Sequence, residues 1–157
     1  MDLSEEGVRE AKELAGKLKP EDFDRAYASE LIRARHTVEI VLGGRNIPLT
    51  IDPRLNEVDQ GEWTGRSGKD LFLTDERYRI WVTRPMDAGP PGGETFSDIV
   101  RRAESFLKDF EGNHVLVVAH GGIIAVMRAV AGEAPLEKVW NLLIKNAEVI
   151  KLTISNF

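Results

Sequence analysis

The stretch His114–Gly132, HVLVVAHGGIIAVMRAVAG, decides the fold. Its opening, Val115-Leu116-Val117-Val118-Ala119, is an unbroken apolar run without alternation, the pattern of a parallel strand covered on both faces. His120-Gly121-Gly122 turns the chain, and Ile123 to Val130 begins a helix that Gly132 ends. A strand feeding a helix in this way is the unit of an α/β sheet, whose ligands bind beyond the carboxyl ends of the strands. His120 stands at such an end. The two glycines after it let a ligand approach the backbone, and the helix N-terminus that follows them offers N–H groups to an anion. Taken alone, His120 also fits a plainer role, ending a strand with its ring satisfied locally.

Working outward, Ser4 caps a helix through Lys19, with Glu5 and Glu6 in the first turn and Lys17 and Lys19 in the last. Val8, Ala11, Leu14, Ala15 and Leu18 mark its apolar stripe, and Pro20 stops it. Phe23 to Ala28 predicts a short strand, Ser29 caps a second helix ending at Gly43-Gly44, and Pro48 to Ile51 is extended. From Leu55 to Gly93, glycines and prolines break the chain into loops around one helix near Lys69 to Trp81. Thr95 and Asp98 open a further helix with the stripe Phe96, Ile99, Val100, Ala103, Phe106, Leu107 and Phe110. Pro135 starts another, to about Lys145. Ile150, Leu152 and Ile154 then alternate with Lys151 and Thr153 as a half-covered strand. The expected architecture is α/β: a three-layer sandwich in one domain over residues 1–157, its mostly parallel sheet flanked by helices.

Composition narrows the function. With 42% apolar and 30% charged residues in 157, the chain can build a core, and disorder does not describe it. Twenty-one Lys and Arg against 26 Asp and Glu give a net charge of −5, which speaks against a nucleic-acid partner. The absence of Cys excludes disulfide and Cys-metal chemistry and suits a reducing cytoplasm. Met1 to Glu6 is acidic where a signal peptide would be basic. The most apolar stretch, Val115 to Ala131, is interrupted by His120, Gly121-Gly122 and Arg128, so no membrane segment is expected. Three scattered histidines lack a metal-ligand spacing, and no phosphate-binding or dinucleotide-binding glycine pattern occurs, so neither metal nor cofactor is expected.

Other candidates are weaker one by one. Arg33 lies near the start of the second helix, where a guanidinium matches a phosphate with two N–H groups, or simply meets solvent. Glu57 precedes the loop Gly61-Glu62-Trp63-Thr64-Gly65; a carboxyl beside an anion can act as general acid, or be merely solvated. Thr95, after Gly92-Gly93-Glu94, offers a hydroxyl to an anion or an ordinary helix cap. His36 reads as a helix-surface imidazole, and His114 opens a strand at the end opposite His120.

In order along the chain, these segments resemble the histidine phosphatase (phosphoglycerate mutase-like) superfamily. The matching elements are Asp2-Leu3-Ser4…Gly7, Ser29-x-Leu31-x-Arg33-Ala34-x-x-Thr37 and Leu55-x-Glu57…Gly61-x-Trp63-x-Gly65. Pro91-Gly92-Gly93-Glu94-Thr95 and Val117-Val118-Ala119-His120-Gly121-Gly122 complete the series. Tyr78-x-x-Trp81 ahead of the Pro-Gly-Gly-Glu segment looks most like the α-ribazole phosphatase and broad-specificity phosphatase group. The resemblance implies that Arg33, with Gly121 and Thr95, binds the phosphoryl group of a small phosphorylated metabolite. It implies that His120 stabilises the transition state and that Glu57 protonates the leaving oxygen and then activates water. It implies no metal and no cofactor.

The family pattern begins with a strand ending in Arg-His-Gly, whose His is the nucleophile, and only Met1 stands ahead of Asp2. Arg35-His36 does not replace it, since it lies on the second helix without a following Gly. The sequence therefore predicts a sheet lacking its first, central strand, with unpaired groups on two inner strands, and impaired catalysis by this chain alone. A homodimer or strand exchange would repair that edge. The alternative is a non-catalytic protein that binds phospho-ligands. An acyl hydrolase built on Ser29 or Thr95 fits less well, because no nucleophile-elbow motif surrounds either.

Overall fold

The structure, a computed structural model, describes residues 2–155. Helix α1 (Glu5–Leu18) is capped by Ser4, whose hydroxyl accepts from the Gly7 N–H. Strand β1 (Arg25–Ala28), helix α2 (Ile32–Leu42) and strand β2 (Leu49–Ile51) follow. Two short helices, α3 (Gly68–Thr74) and α4 (Glu76–Thr83), lead to the long α5 (Phe96–Asp109). Strand β3 (Val115–Val118) and helix α6 (Gly121–Val130) complete the regular elements, with 3-10 turns at Pro53–Leu55, Gly61–Trp63 and Leu136–Leu142.

The sheet has the order β2-β1-β3, and both pairings are parallel. Alternation along the strands divides the core between two layers. Tyr27, Val115 and Val117 pack with residues of α5 and α6, while Ala26, Ala28, Leu116 and Val118 pack with Val38 and Leu42 of α2. Small alanines at positions 26 and 28 let α2 lie close on that face. Helix α1 extends the same layer, where Leu18 meets Phe23 and Val41. The expected three-layer α/β sandwich is therefore the fold observed. Among the described residues no helix is long and apolar enough to cross a membrane.

Several expectations need correction. Residues 69–81 form two helices, not one, because Asp75 takes an extended conformation and caps α4, accepting from the N–H groups of Arg77 and Tyr78. Its other carboxylate oxygen accepts from the Trp63 indole at 2.9 Å, which fixes the break. The helix expected from Pro135 to Lys145 is a 3-10 turn interrupted at Lys138. Residues 150–154 form no strand, although Ile154 packs against the core; alternation supplies a face, but a strand also needs a paired neighbour.

The sheet edge differs as well. β1 and β3 pair directly, so no gap opens between inner strands; the open edges are the outer ones of β2 and β3, which have no strand beside them among the described residues. Both faces of β3 are covered, as the unbroken apolar run predicts, but with its outer edge open every residue of it is only half-buried. A cavity of about 1160 Å³ runs along this edge, walled by β3, α1, α6 and the segment from Leu143 to Ile154.

Candidate active site

The carboxyl ends of β1 and β3 bring the site together. β1 ends at Ala28 and β3 at Val118, in register as neighbours, so Ser29 and His120 emerge on the same side of the sheet. His120 is buried, 7% exposed, and its Nε2 lies 2.8 Å from Ser29 Oγ. Arg33, in the first turn of α2, reaches across so that its Nε donates to His120 Nδ1 at 3.3 Å. Burial pushes the His120 ring down to about 4, and the positive charges of Arg33 and Arg102 push it the same way. Arg33 itself is exposed and has no ion pair among the described residues.

Glu57 closes the third side. Its carboxylate accepts from the Val58 N–H at 2.9 Å and from the Gly122 N–H at 3.4 Å, so it sits at the N-terminus of α6. Glycine is required at 122 for this approach, since a Cβ there would stand 2.5 Å from Glu57 Oε1 and 3.0 Å from Val58 Cγ2. Arg33, Glu57, His120 and Gly121 all line the large cavity. Arg33 and Glu57 also border a second one of about 450 Å³, whose walls include Trp63, Arg66, Leu71 and Tyr78.

A bracket behind the site holds Glu57 in place. The loops at Asp59–Glu62 and Pro91–Glu94 are clasped together: the Glu62 N–H donates to Pro91 O at 2.9 Å and the Glu94 N–H to Asp59 O at 3.1 Å. At Gly61, φ is +49° and a Cβ would run into the backbone of Pro91 and Gly93, so both glycine-bearing motifs serve this one contact. Arg102 of α5 then grips the assembly. It donates to Glu94 at 2.8 and 2.9 Å and to the carbonyls of Arg54 and Asn56 at 2.7 and 2.8 Å.

Four of the five residues singled out in the sequence thus meet: Arg33, Glu57, His120 and Gly121. Thr95 does not join them. It caps α5, accepting from the Asp98 N–H and donating to Asp98 Oδ2 at 2.7 Å, and it lines neither cavity. Its neighbour Glu94 pairs with Arg102. The remaining histidines are engaged elsewhere: His36 with Asp2 at 2.9 Å, and His114 with the Asp22 carbonyl at 3.0 Å at the far end of β3.

Sequence reasoning missed Ser29 and Asn56 as members of the site. The expected helix cap at Ser29 is also wrong, because α2 begins two residues later, with Leu31 at the cap position. The signal was available in part: both residues follow strands of a parallel sheet, where polar side chains face the ligand side. For Arg102 no such signal existed, since it lies on a helix among other charges.

The sequence profile of the histidine phosphatase superfamily (branch 1) matches residues 1–156. An adenosylcobalamin/alpha-ribazole phosphatase of Salmonella typhimurium is 38% identical over 144 residues, spanning 88% of this chain and 71% of that one. A 2,3-bisphosphoglycerate-dependent phosphoglycerate mutase of Bradyrhizobium is 35% identical over 154 residues, 87% of this chain and 74% of its own length. Among solved structures, the alpha-ribazole phosphatase of Shigella flexneri superposes with a TM-score of 0.76 at 32% identity, covering 92% of this chain and 74% of that one.

Proposed function

Since the chain belongs to the histidine phosphatase superfamily, branch 1, we propose that its site works on phosphomonoesters of small metabolites, as a phosphatase. The observation that supports this best is the convergence of Arg33, His120 and the α6 N-terminus around one point, with a carboxylate, Glu57, beside it. Cationic and N–H groups fixed in a partly dry site are what phosphoryl transfer requires, because its transition state spreads charge over the phosphoryl oxygens. Arg33 anchors two of those oxygens and His120 donates to a third. Glu57 gives a proton to the ester oxygen as the P–O bond breaks and regains one from the water that takes the phosphoryl group. The net reaction is ester plus water to alcohol plus phosphate. The leaving alcohol occupies the smaller cavity, between Trp63, Tyr78 and Arg66. The kinship with alpha-ribazole phosphatases favours an alcohol with a ring to rest against these aromatics. The cytoplasm, where such esters are made and used, is the setting we assign.

A second reading has its own support. Among the described residues His120 is the one imidazole at the site, and both of its nitrogens are engaged. Transfer through a phosphohistidine would need another imidazole at the site, and the other two of the chain, His36 and His114, are engaged elsewhere; a second copy paired with the open edge of β3 would cover that edge without supplying one. Without another imidazole, the chain binds phospho-ligands and does not turn them over.

Hydrolysis of p-nitrophenyl phosphate, followed across a wide range of protein concentration, decides between them. Turnover that His120→Ala abolishes supports the phosphatase, and turnover rising faster than concentration supports pairing of two copies. Saturable binding of inorganic phosphate without turnover supports the second reading. Neither binding nor turnover overturns both.

A further inference from the structure

The hydrogen bonds around His120 admit a single placement of protons. The Glu30 backbone N–H can only donate, and it meets Asn56 Oδ1 at 3.1 Å, so that atom is the amide oxygen. Ser29 Oγ lies 2.9 Å from the same oxygen and must therefore give its proton to it. With that proton committed, the Ser29 oxygen accepts, both from the Leu31 N–H at 3.1 Å and from His120 Nε2 at 2.8 Å. His120 thus carries its proton on Nε2. The other nitrogen, Nδ1, faces the Arg33 Nε–H, and a guanidinium can only donate. Nδ1 is bare.

We propose that Ser29 and Asn56 are positioning residues which hold His120 in the Nε2–H form, and that a phosphoryl group binding beside Arg33 draws a proton onto Nδ1. The proposal rests on the phosphomonoester reading for its second half only. In the free protein two donors cannot face one another, so the Arg33 contact keeps Nδ1 unprotonated. A phosphoryl oxygen entering between them reverses the demand: it accepts from Arg33 on one side and needs a donor on the other. The ring then takes one proton from solvent, Nδ1 gains an N–H, and the anion gains a charge-assisted hydrogen bond. Nε2 does not change partner, so the ring need not turn.

The charged groups around the ring agree with this. Arg33 approaches from α2 and Arg102 from α5, and both oppose a protonated ring in the free site. Glu57 approaches from the loop after β2 but spends its oxygens on the N–H groups of Val58 and Gly122. Lys145 and Glu148 lie across the large cavity, where the Glu148 carboxylate accepts from the Lys145 backbone N–H. No carboxylate contacts the ring among the described residues. The anion that charges it must come from the ligand.

Nitrogen NMR of the full chain labelled at histidine tests both halves, with inorganic phosphate as the probe. In the free wild type near neutral pH, His120 should give a protonated signal at Nε2 and an unprotonated one at Nδ1. Saturating phosphate should convert Nδ1 to a protonated signal, with uptake of one proton in a weakly buffered titration. Arg33→Met frees Nδ1, and there Ser29 alone should still hold the exclusive Nε2–H signal. Adding Ser29→Ala to Arg33→Met should retain the circular dichroism of the wild type and lose that exclusive signal, and Ser29→Thr, which keeps the hydroxyl, should restore it in the same background. A free wild type protonated at Nδ1, or an Arg33→Met, Ser29→Ala double variant with an unchanged signal, overturns the positioning role. Phosphate that binds while Nδ1 stays bare overturns the proton uptake. Phosphate that does not bind at all overturns the phosphomonoester reading, while the free-state signals still decide the role of Ser29 and Asn56.

Discussion

Arg33 Nε donates to His120 Nδ1 across 3.3 Å, joining residues 87 positions apart through the ends of two neighbouring strands. The contact sets a permanent cation against a nitrogen that would otherwise be the proton acceptor of the site. Any charge placed on the ring is repelled by the guanidinium, and a negative ligand between them turns that repulsion into two attractions. A pair that resists its own protonation is well suited to respond to a phosphoryl group.

Replacing Arg33 by Met should therefore let His120 titrate above its present value of about 4. Burial is the larger cause of the depression and remains, so the midpoint stays below the ordinary 6.5. A pH titration of the His120 ring signal by NMR checks this. A midpoint unmoved by the substitution would mean that the guanidinium does not reach the ring in solution.

The same depression couples stability to pH. The folded ring binds its proton near pH 4 and the unfolded one near 6.5, so between these values the unfolded state holds more protons. Stability should rise with pH across that window and be lost as pH falls from 6.5 towards 4, by on the order of 3 kcal/mol. His120→Asn should flatten the slope there. The loss contributed by Asp52 comes at lower pH: burial raises its carboxyl, but the hydrogen bonds from Arg54 outweigh this and hold it below 3.8. Urea unfolding at a series of pH values separates the two.

Gly122→Ala isolates the position of Glu57 from the fold. Alanine favours a helix by about 1 kcal/mol over glycine, and the clash is with the mobile end of a side chain, so stability should change by no more than about 1 kcal/mol. The carboxylate, however, must leave the α6 N-terminus, because the new Cβ would lie 2.5 Å from Oε1. Turnover of p-nitrophenyl phosphate should fall by about 100-fold, the scale of a displaced catalytic group. A crystal structure of the variant should show Glu57 swung off the Gly122 N–H. Wild-type turnover would assign Glu57 to mere scaffolding.

The sequence disclosed the parts whose signal is local. The apolar run Val115–Ala119 and the turn after it located β3, His120 and α6, and the caps at Ser4 and Thr95 located two helices. Hidden were the features that depend on a neighbour. The alternation of Ile150, Leu152 and Ile154 could not reveal that no strand lies beside them among the described residues. A helix read near Lys69 to Trp81 between two loop regions could not reveal that the Trp63 indole holds Asp75 extended. Thr95 looked like an anion contact because its motif is loop-like and polar; its hydroxyl is spent on Asp98, and the motif acts through Glu94. Ser29 looked like a cap until the chain set it against the His120 ring, with Asn56 behind it taking its proton.

Arg102 offers the strongest test of the bracket behind the site. Its guanidinium, 17% exposed, joins Glu94 to the carbonyls of Arg54 and Asn56, so one side chain ties the Pro91–Glu94 loop to the segment that leads into Glu57. Arg102→Met would leave a half-buried carboxylate and two carbonyls without their donor, which should cost on the order of 3 kcal/mol in urea unfolding. Lysine keeps the charge but not the planar fork, and a single ammonium cannot meet Glu94 and both carbonyls at once, so Arg102→Lys should recover less than half of that loss. Glu94→Gln in the wild type removes the ionic partner alone and should cost less than Arg102→Met. In the Arg102→Met background the same change should be close to neutral, because the carboxylate has already lost its cation. If the two substitutions instead add, Arg102 and Glu94 act independently, and α5 holds the segment carrying Asn56 and Glu57 only through the carbonyls of Arg54 and Asn56.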